Sequence, residues 1–171
     1  ELAVASWPGE IHLYGAPDAV HPLFEELARE FDLQLAPQGA GDLGARMQVA
    51  LREALARRRA AAILGCDVPH CSWIALDQAN HWLAQGRNVL GPTEDGGYYF
   101  IGLNAQHAEL FQNIDWGTDR VLAQTLERAK SLGVEFEWLP RLRDIDTAAD
   151  LRRAAHAYEP LRRFLKEALT K

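Results

Sequence analysis

The sequence has few of the features that mark secreted, membrane or nucleic-acid-binding proteins. Only 2 of its 171 residues are cysteine, too few for a disulfide framework, which predicts a reducing, cytoplasmic environment. No apolar run approaches the roughly 20 residues that a membrane-spanning helix needs, and the opening "ELAVASWPGE" lacks the basic region of a signal peptide. A net charge of −6 argues against non-specific binding to nucleic acid. We therefore expect neither a nucleic-acid nor a membrane partner.

The start of the chain also lacks features expected of a complete domain. There is no initiator methionine, and the first apolar stretch, "LAVA" at 2–5, is typical of a buried strand but has no element before it. We expect a single domain over residues 1–171 that is incomplete at its N-terminus.

Short apolar stretches alternate with amphipathic helical patterns along the rest of the chain. This alternation is typical of an α/β protein with helices on both faces of a mostly parallel sheet. The stretch "AAAILG" at 60–65 is apolar on both faces, which predicts a central strand parallel to its neighbours. The expected fold is a three-layer α/β/α sandwich.

Acidic residues follow three of the predicted strands. Asp67 comes after "AAAILG", Asp95 after "NVLG", and Asp144 and Asp146 after "VEFEWL". In open α/β sheets, ligands bind beyond the carboxyl ends of the strands, and carboxylates that converge there stay ionised around a cation. The pattern predicts bound Mg²⁺ or Mn²⁺. Each acid alone has a structural alternative: Asp67 could cap a turn, and "TAAD" at 147–150 fits a helix capping box.

The stretch "GPTEDGGYYFIG" at 91–102 places an acid beside two glycines. Gly96 and Gly97 would let the backbone approach a ligand, and Asp95 would accept hydrogen bonds from its hydroxyl groups. The alternative is a β-turn at the start of a strand. Trp116 in "IDWGTD" could stack on a base or a sugar, or fill the core above the sheet. Arg46, one turn into a predicted helix, could lie near phosphate or join a surface salt bridge.

Four stretches in order resemble one protein family: "GCDVP", "LGPTEDGGYYFIGL", "IDWGTDRVLAQT" and "DIDTAADL". They resemble the domain-of-unknown-function 2064 family of glycosyltransferase-like proteins, which are similar to the nucleotidyltransferases that guanylylate the molybdenum cofactor or phospholactate. The resemblance runs from about Gln38 to Leu151. It implies the glycosyltransferase-A fold of nucleotide-diphospho-sugar transferases, and transfer of a sugar or a nucleotidyl group with a divalent metal.

The resemblance also assigns roles to single residues. Asp67 and Asp95 are the implied catalytic residues, and the implied metal ligands are Asp67, Asp146 and Asp144. The loop implied to face the base and ribose contains Gln38, Gly41, Leu43 and Gly44. The residues expected near the sugar or acceptor are Gly96, Gly97 and Trp116.

One part of the family pattern is missing from the sequence. The family's first strand and its Gly-, Lys- and Arg-containing phosphate loop have no counterpart, so two strand edges would be exposed, and a second copy of the chain could cover them. Two functions stay open. The chain is either a metal-dependent transferase acting on a nucleotide or nucleotide-sugar and an unknown acceptor, or a non-catalytic nucleotide-binding or interaction module.

Overall fold

A computed structural model of the protein describes residues 7–169, which form two β-sheets and six α-helices. The strands are β1 (His12–Gly15), β2 (Gln34–Pro37), β3 (Ala61–Leu64), β4 (Asn88–Pro92), β5 (Tyr98–Leu103) and β6 (Phe136–Trp138). The helices are α1 (Pro22–Phe31), α2 (Leu43–Leu55), α3 (Trp73–Ala84), α4 (Val121–Leu132), α5 (Ala148–Ala157) and α6 (Glu159–Leu169), with a 3₁₀ turn at Ala108–Phe111. The strand predicted at 2–5 lies outside the described residues.

The smaller sheet contains β1 and β2, which run parallel with His12 opposite Gln34. Helix α1 connects them and begins at Pro22, where the side chain of His21 accepts a hydrogen bond from the N–H of Leu23 at 3.2 Å. No residue of α1 is buried. The small sheet and its helix are therefore lightly packed compared with the larger sheet.

The larger sheet has the strand order β3-β5-β4-β6. Strand β5 is antiparallel to both β3 and β4, whereas β4 and β6 are parallel. Strands β3, β4 and β6 therefore point in the same direction, and within this sheet β5 alone is reversed.

The prediction that "AAAILG" forms a central strand parallel to its neighbours is wrong for the part of the chain that the structure describes. There, β3 is an edge strand and pairs with the antiparallel strand β5. Its apolar character has another cause, because Ala61 and Ile63 contact one hydrophobic core while Ala62 contacts the other. An apolar strand reports that both faces are covered, and it does not report how many strands lie beside it.

Two hydrophobic cores lie on opposite faces of the larger sheet. The core beneath α2 and α4 includes Met47, Leu51, Leu90, Ile101, Leu103 and Leu122. The core beneath α3 includes Ala75, Leu76, Ala79, Leu83, Val89 and Phe100. The arrangement of helices, sheet and helices confirms the predicted three-layer sandwich.

The C-terminal part of the described chain is helical, as predicted. Helix α5 begins with a capping box, in which the Thr147 side chain accepts from the N–H of Asp150 and the Asp150 side chain accepts from the N–H of Thr147. This confirms the expectation that "TAAD" at 147–150 forms a helix capping box. Across residues 7–169, no helix combines the length and the apolarity needed to cross a membrane.

Candidate functional site

The carboxyl ends of β3, β4 and β6 lie at the same edge of the larger sheet, because these three strands share one direction. The chain after β6 continues alongside β4. The N–H of Leu142 donates to the carbonyl of Pro92 at 3.0 Å, and the N–H of Glu94 donates to the carbonyl of Leu142 at 2.9 Å. This extension of the parallel pairing carries the residues after Leu142 to the turn that contains Asp95.

Three carboxylates meet at this edge. Asp95, Asp144 and Asp146 each offer an oxygen, and these oxygens lie within 4.8 Å of one another. Asp144 is half-buried, and the other two are exposed. The searched residues, 7–169, contain no second group of three or more acidic, histidine or cysteine side chains this close. We call these three residues the carboxylate cluster.

The turn at 93–97 holds Asp95 in place. Its Oδ1 accepts hydrogen bonds from the hydroxyl of Thr93 at 2.5 Å and from the N–H of Gly97 at 3.0 Å. Thr93 is buried, with 4% of its surface exposed, and its N–H donates to the carbonyl of Gly97 at 3.0 Å. Both bonds engage the same oxygen of the carboxylate, Oδ1.

Gly96 is required by the backbone of this turn. Its φ is +94°, a conformation that side-chain-bearing residues rarely adopt. A Cβ at this position would also collide with the carbonyl oxygen of Asp119, and the Gly96 carbonyl accepts from the N–H of Leu122 at 2.8 Å. Gly96 thus fastens the turn to the first residues of α4.

The protein shifts the pKa values of Asp95 and Asp144 in opposite directions. Burial raises the pKa of Asp95, but hydrogen bonds from Thr93 and the Gly97 N–H outweigh it, so the pKa of this carboxyl lies below its ordinary value. Burial raises the pKa of Asp144, and the negative charges of Asp95 and Asp146 raise it further. The protein alone disfavours a third negative charge here, and a bound cation would favour it.

The backbone of Asp67 is hydrogen-bonded to the segment that contains Asp144 and Asp146. Its carbonyl accepts a hydrogen bond from the N–H of Ile145 at 2.9 Å. The carboxylate turns back onto its own loop, because a Cβ at Gly65 would lie 2.7 Å from Oδ1 of Asp67. The predicted role of Asp67 as a metal ligand stays a prediction, and its carboxylate is not one of the three that meet.

Sequence reasoning missed the residues that join the two segments of the site. The guanidinium of Arg143 donates from Nε to Oε2 of Glu94 at 2.7 Å, and Arg141 donates from Nη1 to the carbonyl of Thr93 at 3.3 Å. The signal in the sequence was the acidic Glu94 in "TED" and the basic Arg143 in "LRD". These two residues can be recognised as neighbours only once the pairing of Thr93 with Leu142 is known.

The loop predicted to face the base and ribose begins at the carboxyl end of the smaller sheet. The N–H of Gln38 donates to the carbonyl of Gly15 at 2.8 Å, and its Nε2 donates to the carbonyl of Tyr14 at 3.4 Å. Gly41 has a φ of +98°, and Leu43 is 49% exposed. The site roles of these residues stay predictions.

Trp116 links this loop to Tyr98, the first residue of β5. The loop ends at Gly44, whose Cβ, if it had one, would lie 2.6 Å from Nε1 of Trp116. The same indole packs edge-on against Tyr98 with ring centroids 6.4 Å apart, and Nε1 is buried with no hydrogen bond to the described residues. The contacts favour the core-filling alternative for Trp116, and its contact with substrate stays a prediction.

Comparison with known proteins identifies the family. The family model for DUF2064, with the description "Uncharacterized protein conserved in bacteria", matches residues 2–118. The chain belongs to the DUF2064 family. This confirms the resemblance inferred from the four stretches of sequence. No curated protein matches this DUF2064 chain.

A solved structure supports the fold of the DUF2064 chain. It is the crystal structure of a "putative nucleotide-diphospho-sugar transferase" from Desulfovibrio desulfuricans G20, which matches with a TM-score of 0.75 and 27% sequence identity. The match covers 85% of this chain and 64% of that one, so the DUF2064 chain spans less than two thirds of that protein. The expected nucleotide-diphospho-sugar transferase fold is thereby confirmed.

Proposed function

We propose that this DUF2064 protein is a metal-dependent transferase that binds a nucleotide or nucleotide-sugar and transfers a glycosyl or nucleotidyl group. The observation that carries this proposal is the carboxylate cluster. Its oxygens come from two neighbouring strand ends and lie within 4.8 Å of one another, at the edge where open α/β sheets bind ligands. The match to a nucleotide-diphospho-sugar transferase structure suggests the class of ligand.

The donor set of the cluster suits a hard divalent cation, since Mg²⁺ and similar ions prefer carboxylate oxygens. Asp144 and Asp146 would hold the ion together with the carboxylate of Asp95. Asp67 would be a further ligand if its carboxylate turned away from Gly65. A bound divalent ion would neutralise the diphosphate and stabilise charge on the leaving group.

The protein residues around the cluster would bind and orient the substrate. Gln38, Gly41, Leu43 and Gly44 would contact the nucleotide at the carboxyl ends of β1 and β2. The backbone at Gly96 and Gly97 would lie against the sugar or acceptor. Because Trp116 contacts both Gly44 and Tyr98, this side chain would set the spacing between the two halves of the site.

Calorimetry with a panel of nucleotides and nucleotide-sugars, with and without Mn²⁺, tests the proposal. We expect at least one ligand to bind only when the metal is present. Turnover then separates the two reactions, because nucleotidyl transfer releases pyrophosphate and glycosyl transfer releases a nucleoside phosphate. Binding without turnover would favour the non-catalytic module, and no binding with any ligand would contradict the proposal.

A further inference from the structure

Arg46 is a cation held in a fixed position at the loop that begins with Gln38. It is half-buried in the first turns of α2. Its Nε donates to the carbonyl of Gly41 at 3.0 Å, and its Nη1 donates to Oε1 of Gln38 at 3.3 Å. Two hydrogen bonds to one short loop therefore orient the guanidinium plane.

The surface salt bridge considered for Arg46 is not formed. Among residues 7–169, the ion pairs within 4.0 Å include those of Arg120 with Asp115 and of Arg143 with Glu94, and none involves Arg46. Both partners of Arg46 are uncharged oxygens, so its positive charge has no neutralising contact in a chain of net charge −6.

The guanidinium also has unused donors. An arginine side chain carries five N–H groups, and the two hydrogen bonds of Arg46 use two of them. The remaining N–H groups lie on Nη1 and Nη2, at the end of the fork that pairs with phosphate or carboxylate oxygens. The side chain is thus oriented to donate to an anion that approaches the loop.

The position of the loop agrees with ligand binding. Gln38 is anchored to the carbonyls of Tyr14 and Gly15, at the carboxyl ends of a parallel strand pair, where α/β proteins bind ligands. At Gly39, a Cβ would have no atom within 4 Å, so the loop is open at this residue.

We propose that Arg46 is a ligand-binding residue and that its guanidinium donates to a phosphate oxygen of the nucleotide. This inference rests on the proposed function for the identity of the ligand. The recognition of phosphate itself rests on the fixed geometry, the unused donors and the absence of a carboxylate partner.

The test compares three variants by calorimetry in the presence of Mn²⁺. Arg46→Gln removes the charge, Arg46→Lys keeps it without the fork, and Arg52→Gln removes the same charge from an exposed position on the same helix. The titrants are a nucleotide that binds the wild type, the matching nucleoside, and inorganic pyrophosphate. Thermal melting of each variant shows whether it is folded.

We expect Arg46→Gln to weaken nucleotide binding about 10- to 100-fold, which is the value of a hydrogen bond to a charged group. Arg46→Lys should fall between Arg46→Gln and the wild type, and Arg52→Gln should change affinity by less than about twofold, since the contribution of a distant exposed charge is screened. Nucleoside affinity should be the same in all variants. A change that only loosened the loop would weaken nucleoside binding as well.

Three results would overturn the inference: unchanged nucleotide affinity in Arg46→Gln, equal losses for nucleoside and nucleotide, or an equal loss in Arg52→Gln. Pyrophosphate separates this inference from the proposed function. If no nucleotide binds but pyrophosphate binds in an Arg46-dependent manner, the phosphate contact stands and the transferase proposal fails. If pyrophosphate and nucleotide both fail to bind, both proposals fall.

Discussion

The turns that follow β3 and β4 carry the same kind of sequence, an aspartate close to glycine, and the structure gives them different geometries. After β4, Asp95 accepts hydrogen bonds from Thr93 and Gly97 and faces two further carboxylates. After β3, Asp67 turns its carboxylate onto Gly65 and contributes its carbonyl to Ile145. The carboxylate of Asp95 meets two others, whereas the backbone of Asp67 holds the segment that contains Asp144 and Asp146.

Replacing the glycine of each turn should give the largest difference. Gly96→Ala forces a side chain into a φ of +94° and against the carbonyl of Asp119, and we expect a loss of about 3 kcal/mol in the free energy of unfolding. In Gly65→Ala the new methyl meets the movable carboxylate of Asp67, and the loss should stay below about 1 kcal/mol. Urea denaturation measures both, and equal losses would show that the two turns are equally constrained.

Removing one charge from the carboxylate cluster should weaken cation binding. Mutating a residue that only supports a metal ligand typically weakens metal binding about 10- to 100-fold. Because Asp146 would itself be a ligand, Asp146→Asn should weaken Mn²⁺ binding at least about tenfold. Asp77→Asn, which removes an exposed charge from α3, is the matched control and should leave the affinity unchanged. Titration of Mn²⁺ followed by electron paramagnetic resonance measures both, and a similar affinity for the two variants would contradict the cluster as the binding site.

Asp144→Asn should make the metal-free protein slightly more stable. Burial and the neighbouring charges raise the pKa of Asp144 in the folded state, so its ionised form costs stability at neutral pH and the cost disappears as the pH falls below the folded pKa. We expect a gain of about 0.5 kcal/mol at pH 7, small because water screens a partly exposed group. The gain should vanish at acidic pH, where wild type and variant are both uncharged at this position.

Thermal melting of the wild type and Asp144→Asn between pH 3 and pH 8 follows this difference. Asp95 has the opposite sign, since its folded pKa is lowered and its contribution is lost as the pH falls. A gain for Asp144→Asn that grows towards acidic pH would mean that repulsion within the cluster is not its cause.

Asp67→Asn should have a smaller effect on metal binding than Asp146→Asn. Asn keeps the shape of the side chain, and the hydrogen bond with Ile145 uses the backbone, so the stability should change by less than about 1 kcal/mol. The affinity for Mn²⁺ should fall less than in Asp146→Asn, because the Asp67 carboxylate lies outside the cluster. Calorimetry of the two variants side by side measures the order, and a larger loss in Asp67→Asn would make Asp67 the principal ligand.

The layers of the fold and the positions of the acidic residues after strands were predictable from local sequence patterns. The alternation of strands and helices predicted the three layers, and the positions of the acids after strands identified Asp95, Asp144 and Asp146 as candidates for one edge. Such features depend on periodicity and on the shared direction of strands. They need no knowledge of side-chain conformation.

The details that distinguish the two turns were not predictable in the same way. The orientation of the Asp67 carboxylate is a choice of rotamer, and the hydrogen bond between Thr93 and Asp95 depends on the shape of the turn at 93–97. Glu94 and Arg143 are 49 residues apart in sequence, and their pairing depends on the register between the segments that follow β4 and β6. The edge position of β3 within residues 7–169 was missed because helices on both sides of a strand produce the same apolar pattern as neighbouring strands.

The most direct test of the carboxylate cluster is a crystal structure of the protein soaked with Mn²⁺, with the ion located by its anomalous scattering. The account predicts one strong peak, about 2.1 Å from a carboxylate oxygen of Asp144, from one of Asp146 and from Oδ2 of Asp95. It predicts that Thr93 and Gly97 keep their hydrogen bonds to Oδ1. A peak bound by Asp67 and not by Asp95, or no peak at this edge of the sheet, would contradict it.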